Sequence, residues 1–336
     1  MNRYRIVHKT SYWYNKPVTL SHSEGHLLPL DNEHQHCESA GLRIEPVPGV
    51  HYERRDYFGN RVNYFALEVP HRHIEVVSES FVSREISPRI PQTPEQVQAA
   101  IEFSPSWESV RDMIAATPDP NTEENTNSNF GANAEIGTSS VMADFDLQEY
   151  TFASPMIPAV SIDLPGVASF VQSIFTPGRS LFGACLDLNA RIFTDFKYDS
   201  GFSRIGTPLK DVISARRGVC QDFAHLFLAC MRRAGLPARY ASGYLETKPP
   251  EGRPRLQGAD ASHAWASVYF PGPNAGWIDF DPTNNLIVAN QHVVLGYGRD
   301  YSDVTPLKGV IFGGGKHTVK VEVDVLPIDK HNRTIQ

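Results

Sequence analysis

Three residues far apart in the sequence have side chains of the kinds that cooperate in thiol chemistry. Cys220 can supply a sulfur nucleophile, His263 a base, and Asp281 a carboxylate that orients the base. Cys220 opens the predicted helix CQDFAHLFLACMRRA. Unpaired backbone N–H groups and the positive dipole end at a helix N-terminus favour a thiolate and lower the pKa of a thiol. Cys220 is therefore a candidate nucleophile, and a small buried apolar side chain is the alternative interpretation.

The proposed base and its carboxylate lie on consecutive predicted strands. His263 opens HAWASVYF, Asp281 ends GWIDFD, and the loop PGPNAG joins the two segments. Neighbouring antiparallel strands are about 5 Å apart, which is within reach of a hydrogen bond between imidazole and carboxylate. We expect Cys220, at the start of its helix, to face this pair.

The elements around these residues predict an α+β fold. Apolar residues at helical spacing in PGVASFVQSIF and SLFGACLDLNARIFTDF indicate helices before Cys220. After the helix that starts at Cys220, the segment RYASGYL is a further predicted strand. One helix packed on an antiparallel sheet is an α+β arrangement. The segment HTVKVEVDVL alternates strictly, so we expect one face of this strand to be buried. That face comprises Val319, Val321, Val323 and Val325.

The composition predicts two domains joined by a linker. Residues 1–86 are rich in β-branched and aromatic residues and predict an antiparallel β domain. Within it, VHYERRDYF and RVNYFALEV flank Gly59-Asn60, which predicts a hairpin with a two-residue turn. Residues 87–160 predict a linker with short helices, and its polar segment 117–140 has too few apolar residues to order itself. Residues 161–336 form the predicted second domain with the C-terminal strands.

Charge and cysteine content exclude several classes of protein. The 31 Lys and Arg residues against 38 Asp and Glu residues give a net charge of −7, so no basic surface is predicted for nucleic acid. No stretch approaches the roughly 18 consecutive apolar residues of a membrane span, and the N-terminus resembles no signal peptide. We therefore expect a cytoplasmic protein without a membrane partner. The four cysteines lack CxxC spacing, which argues against a disulfide framework or a zinc ribbon.

Several segments resemble a known family. The stretch GVCQDFAHLFLACMRRAGLPARYASGYLE, the segment ASHAW and the segment GWIDFDPTNN are similar to the three signature blocks of the transglutaminase-like superfamily. The active site of that superfamily resembles that of papain-type thiol hydrolases. RDYFGN is similar to part of the β-rich domain that precedes this core in bacterial members, and GRDYSDVTPLKGV extends the similarity to residue 310. The resemblance implies a papain-like core in which a catalytic helix packs on an antiparallel sheet.

Transferred to this sequence, the resemblance implies catalytic roles for Cys220, His263 and Asp281. Cys220 would attack a carboxamide or peptide carbonyl of a peptide or protein substrate and form a thioester, with no cofactor or metal. The Cys220 backbone N–H is the natural first oxyanion donor. Gln221 is a candidate second donor or an exposed residue of the first helical turn. Trp265, two residues after His263, is expected either to wall the cleft or to fill the core.

Three further questions stay open at the level of the sequence. Attack of water on the thioester would give hydrolysis, whereas attack of an amine would give transamidation. A catalytically idle peptide-binding module of the same fold is a different possibility, against which the complete set of three residues argues. A metal hydrolase using Cys220, His225 and His263 is disfavoured, because Cys220 and His225 lie about 140° apart around one helix. The sequence does not indicate whether the protein is a monomer or an oligomer.

Overall fold

The computed structural model describes residues 1–116, 147–247, 262–272, 275–329 and 331–334. The chain forms two compact units. The first unit comprises Met1–Ile90, Ala241–Ala264 and Val288–Gln336, and the second comprises Pro91–Tyr240 and Trp265–Ile287. The polar segment 117–140 that the sequence analysis singled out lies outside the described residues.

Fourteen strands and seven helices make up the described part of the chain. The strands are β1 Asn2–Gly25, β2 Gln35–Glu45, β3 Val50–Arg55, β4 Arg61–Leu67, β5 His71–Arg84, β6 Lys197–Tyr198, β7 Arg217–Gly218, β8 Ala238–Leu245, β9 Ser262–Phe270, β10 Gly276–Asp281, β11 Leu286–Ile287, β12 His292–Gly298, β13 Leu307–Gly313 and β14 His317–Pro327. The helices are α1 Pro94–Phe103, α2 Trp107–Ala115, α3 Ala159–Ile162, α4 Pro165–Ile174, α5 Leu181–Asp195, α6 Leu209–Ala215 and α7 Cys220–Arg233. No helix in these ranges is both long and apolar enough to cross a bilayer.

The first unit is built on an antiparallel sheet centred on the long strand β1. The strand order is β2-β5-β1-β4-β3, and β13 and β14 also pair with β1. Tyr4 and Ile6 alternate along β1 with half-buried residues, and they pack in one cluster with Val323 and Val325 of β14. Alternation of this kind buries one face of a strand and leaves the other accessible. The predicted N-terminal β structure is confirmed, and two C-terminal strands complete its sheet.

The C-terminal strand β14 is buried along only half of its length. Val323 and Val325 are fully buried, whereas Val319 and Val321 are 53% and 50% exposed. The expectation of one continuous buried face was therefore wrong for the first half of the strand. Packing explains the difference, because the cluster formed with Tyr4 covers only the second half.

The hairpin of β3 and β4 has a longer turn than predicted. The last pair in its register is Arg55 with Arg61, so residues 56–60 form a five-residue connection. Asp56 closes this connection, since its carboxylate accepts hydrogen bonds from the backbone N–H and the side-chain amide of Asn60 at 2.8 and 2.9 Å. Asn60 is completely buried and also bonds the backbone N–H and carbonyl of Tyr297. These contacts with a distant segment favour the longer loop over a two-residue turn.

The second unit is organised around helix α7. Almost every residue of α7 after its first turn is buried, and α3, α4, α5 and α6 pack around it. The ring of Phe227 stacks on the ring of Phe280 in β10, with centroids 5.9 Å apart and an angle of 21°. β10 in turn pairs antiparallel with β9, where Phe280 lies opposite Ala266.

The helix-plus-sheet core that the sequence predicted is confirmed. Its sheet has the strand order β11-β10-β9-β8-β12, and the predicted strands RYASGYL, HAWASVYF and GWIDFD correspond to β8, β9 and β10. The fold class is α+β, with an antiparallel sheet at the N-terminus followed by this core.

Candidate active site

Cys220 is the first residue of α7 and is only half-buried. The preceding residue, Val219, has the extended backbone of a helix N-cap. Two other thiols, those of Cys185 and Cys230, are completely buried, and burial raises the pKa of both far above the ordinary value. Burial also raises the pKa of the half-buried Cys37 thiol. Cys220 lies at a helix N-terminus, whereas the other three cysteines do not.

Asp222 stabilises the turn that precedes Cys220. The Asp222 carboxylate is buried and accepts a hydrogen bond from the Val219 backbone N–H at 2.8 Å. Burial raises the pKa of Asp222, and this hydrogen bond opposes the rise. A Cβ atom at Gly218 would lie 2.8 Å from the Asp222 carboxylate oxygen and 2.9 Å from its Cβ. Glycine at position 218 thus leaves the space in which Asp222 caps the helix.

Tyr198 is a neighbour of Cys220 that the sequence analysis did not single out. It ends β6, which pairs in parallel with β7, so that Tyr198 lies opposite Gly218. The ring is 53% exposed. Burial of its hydroxyl raises the pKa of Tyr198, and the electrostatic interaction with Cys220 adds to this rise. No sequence pattern marks this residue, because a two-residue parallel pairing leaves no periodic signal.

Asp281 is the last residue of β10 and is completely buried. One carboxylate oxygen accepts hydrogen bonds from the backbone N–H groups of Thr283 and Asn284, at 2.9 and 3.2 Å. The other oxygen accepts from the side-chain amide of Asn284 at 2.7 Å. The sequence Asp-Pro-Thr-Asn therefore folds back on its own carboxylate, as aspartate commonly does in turns. These bonds fix the orientation of the carboxylate.

His263 is the second residue of β9 and is 9% exposed. Its ring lies beside the ring of His292, the first residue of β12, with centroids 5.7 Å apart and an angle of 42°. His292 is almost completely buried. The sequence analysis missed His292, because a single histidine at the start of a strand has no distinguishing pattern.

The structure separates the remaining candidate residues into different environments. Gln221 is half-buried in the first turn of α7. Trp265 is completely buried, and its indole N–H donates to the carboxylate of Asp279 at 2.8 Å, which favours a core position over a cleft wall. His225 is buried, with its ring 5.2 Å from that of Tyr240.

Two family models match the chain. The model for the bacterial transglutaminase-like N-terminal region matches residues 4–83, and the model for the transglutaminase-like superfamily matches residues 168–282. The second range contains Cys220, His263 and Asp281. Together the two ranges include most of the first sheet and the helix-plus-sheet core.

Uncharacterized mycobacterial proteins and one solved structure resemble the chain over nearly its whole length. The protein Mb2599c of Mycobacterium bovis is 37% identical over 331 residues, covering 98% of this chain and 94% of its own. The protein ML0607 of Mycobacterium leprae is 30% identical, covering 97% of this chain and 99% of its own. The crystal structure of a candidate cysteine protease from Cytophaga hutchinsonii shares the fold, with a TM-score of 0.68 at 19% identity over 100% of this chain and 93% of that one. The chain therefore belongs to the transglutaminase-like superfamily, as a member with a bacterial transglutaminase-like N-terminal region.

Proposed function

We propose that the protein is a thiol-dependent acyl-transfer enzyme that acts on peptide or carboxamide bonds. Cys220 is the proposed nucleophile, His263 the base and Asp281 the carboxylate that orients the base. The observation that carries the proposal is the position of Cys220, half-buried at the N-terminus of α7 in the region that matches the transglutaminase-like core. Peptides or proteins are the proposed substrates.

The local electrostatics of Cys220 support the nucleophile. Backbone N–H groups in the first turn of a helix stabilise an anion, and a thiolate is the reactive form of cysteine. The Asp222 carboxylate caps the turn through Val219. In this arrangement the N–H of Cys220 itself is available to a developing oxyanion. Gln221 is retained as the candidate second donor.

Strand register supports the proposed pairing of His263 with Asp281. β9 and β10 are antiparallel, with Phe280 opposite Ala266. One further step along an ideal ladder places Asp281 opposite Trp265, and His263 projects from the same face as Trp265 because side chains alternate. Diagonal neighbours on one face of a sheet lie within reach of long side chains.

The proposed reaction has two stages with a thioester between them. The Cys220 sulfur attacks the carbonyl carbon while His263 takes the thiol proton, and the carbonyl oxygen becomes an oxyanion near the Cys220 N–H. The C–N bond then breaks, and His263 returns the proton to the departing ammonia or amine. Water attacks the thioester in hydrolysis, whereas a second amine attacks it in transamidation. Either attack transfers a proton through His263 and restores the thiol.

Alkylation of the purified protein tests the nucleophile directly. Intact-protein mass is followed after iodoacetamide is added at about pH 6.5, below the ordinary pKa of a thiol. We expect one rapid label in the wild type and in Cys37→Ala, no rapid label in Cys220→Ala, and slower labelling in His263→Gln. Cys37 is the matched control because it is the other half-buried thiol. Rapid labelling would justify assays of ammonia release and amine incorporation with glutamine peptides.

Two alternatives give different results in these experiments. A catalytically idle binding module predicts that Cys220 labels no faster than Cys37 and that no peptide is turned over. A metal hydrolase would instead use Cys220, His225 and His263 as ligands, and thiolate and imidazole groups suit zinc. Stoichiometric zinc in purified protein, with activity lost on chelation, would favour the metal mechanism.

A further inference from the structure

A cavity of about 230 Å³ opens inside the first unit, where β1 changes its partner strand. The first part of β1 pairs with β14 as far as Tyr14 and His317. The second part pairs with β13, starting with Val18 and Gly313. Residues from both parts line the cavity.

One wall of the cavity consists of three rings. The rings of Tyr12 and Tyr14 are nearly parallel, with an angle of 8° and centroids 6.3 Å apart. The His317 ring lies 6.1 Å from Tyr12 and 6.0 Å from Tyr14, tilted by 51° against each. Aromatic faces and edges arranged at such distances favour contact with a further flat ring.

The floor of the cavity is apolar. Phe65 and Ile74 are almost completely buried and belong to the same hydrophobic cluster as Tyr14, and Ile311 packs against that cluster. Folded cores contain few voids larger than a water molecule. An apolar cavity of about 150 Å³ holds a benzene molecule. The present cavity therefore has room for one ring with a short substituent.

Hydroxyl groups are the hydrogen-bonding groups that could orient a ligand in the cavity. Burial raises the pKa of the Tyr12 and Tyr14 hydroxyls, so both stay protonated and can donate at neutral pH. Ser23 adds a further hydroxyl group. No carboxylate belongs to the described lining residues. Lys308 also belongs to the lining residues, and on β13 it lies opposite Glu24 of β1.

We infer that this cavity binds a small aromatic ring that carries one hydrogen-bonding group, of about the size of a substituted phenol. The aromatic wall, the apolar floor and the phenol hydroxyls each match one part of such a ligand. A free aromatic compound and an aromatic side chain of a peptide share this chemistry. The inference is independent of the reaction proposed for Cys220.

Calorimetric titration of the full chain tests the inference with three probes. These are p-cresol, cyclohexanol as a hydroxyl compound of similar size without an aromatic face, and a blocked Ala-Tyr-Ala peptide. We expect p-cresol to bind about tenfold more tightly than cyclohexanol, because contacts between rings add to the effect of area alone. Binding of the peptide would identify a side chain as the natural ligand, whereas binding of p-cresol alone would identify a free compound.

A pair of variants on one strand locates the binding site. Ile311→Trp should fill the cavity and abolish p-cresol binding. Val310→Trp is the matched control, because Val310 is 63% exposed and lies on the opposite face of β13. His317→Ala serves as a second variant if Ile311→Trp does not fold by circular dichroism, since His317 is exposed and its removal should weaken binding several-fold. The inference is wrong if the wild type binds no p-cresol at millimolar concentration, or if the folded Ile311→Trp or His317→Ala variant binds as the wild type does.

Discussion

Replacement of Asp281 by asparagine should separate the structural role of this residue from its proposed catalytic role. The carboxylate accepts at least three hydrogen bonds, two from the backbone N–H groups of Thr283 and Asn284 and one from the Asn284 side chain. In Asp281→Asn, the remaining oxygen can keep both backbone donors. The new amide group would face the Asn284 amide, which can rotate to present its oxygen. The fold around β10 should therefore survive.

The expected loss of stability follows from the number of bonds that change. A hydrogen bond to a charged group contributes about 1.5–3 kcal/mol, against about 0.5–1.5 kcal/mol for a neutral one. In Asp281→Asn the three described bonds become neutral, which destabilises the protein. The substitution also removes a buried charge, which stabilises it, so the two effects partly cancel. We expect Asp281→Asn to lower the free energy of unfolding by about 1–3 kcal/mol.

The expected loss of reactivity is larger. A carboxylate within about 4–6 Å raises the pKa of an imidazole by about 1–3 units. If Asp281 orients His263 as proposed, its replacement lowers the fraction of imidazolium that stabilises the Cys220 thiolate. We expect alkylation at about pH 6.5 to slow about tenfold or more. Substrate turnover should fall by at least about 100-fold, because an asparagine in a triad favours the wrong imidazole tautomer.

The measurement combines urea unfolding with the rate of iodoacetamide labelling. Asp279→Asn is the matched control, because Asp279 lies two residues earlier on β10 and its carboxylate bonds the Trp265 indole. This control should lose stability but label at the wild-type rate. The proposed role of Asp281 is refuted if Asp281→Asn is folded and labels as fast as the wild type. It is equally refuted if both variants slow labelling to the same extent.

Three further predictions concern the helix start, a buried histidine and the core. Gly218→Ala should destabilise the protein by about 1–3 kcal/mol and slow labelling of Cys220, because the new Cβ would lie 2.8 Å from the Asp222 carboxylate; unfolding and labelling measurements check this together. Burial lowers the pKa of His8 to about 4 from an unfolded value of about 6.5, so the unfolded state binds the proton first as pH falls. The free energy of unfolding should therefore decrease by about 3 kcal/mol from pH 7.5 to pH 4, and His8→Gln should lack this part of the pH dependence in urea titrations. Trp265→Phe should lose about 1 kcal/mol with its indole hydrogen bond while labelling of Cys220 stays unchanged; slower labelling would instead favour a role at the cleft.

Local patterns in the sequence were sufficient for most individual elements. The segment CQDFAHLFLACMRRA predicted α7 with its start at Cys220, HAWASVYF and GWIDFD predicted β9 and β10, and strict alternation predicted β14. These signals depend on residues a few positions apart, whose spacing follows directly from the geometry of a helix or a strand. The family resemblance rested on contiguous blocks of the same kind. The matches to residues 4–83 and 168–282 confirm it.

Partners distant in sequence decided what those patterns could not. Alternation predicts a strand but does not identify its neighbour, so the pairing of β14 with β1 could not be read from HTVKVEVDVL. The turn before Asn60 was predicted too short, because its length depends on hydrogen bonds with Tyr297, more than 200 residues away.

The surroundings of the proposed catalytic residues were settled in the same way. The types and order of Cys220, His263 and Asp281 were visible in the sequence, together with the helix and strands that carry them. Tyr198 opposite Gly218 and the ring of His292 beside that of His263 were not visible. Residue type and local spacing thus determined the candidate chemistry and the helix and strands that carry it. Contacts between distant segments determined which groups surround each candidate residue. Such contacts leave no periodic pattern in the sequence, so only the tertiary structure reveals them.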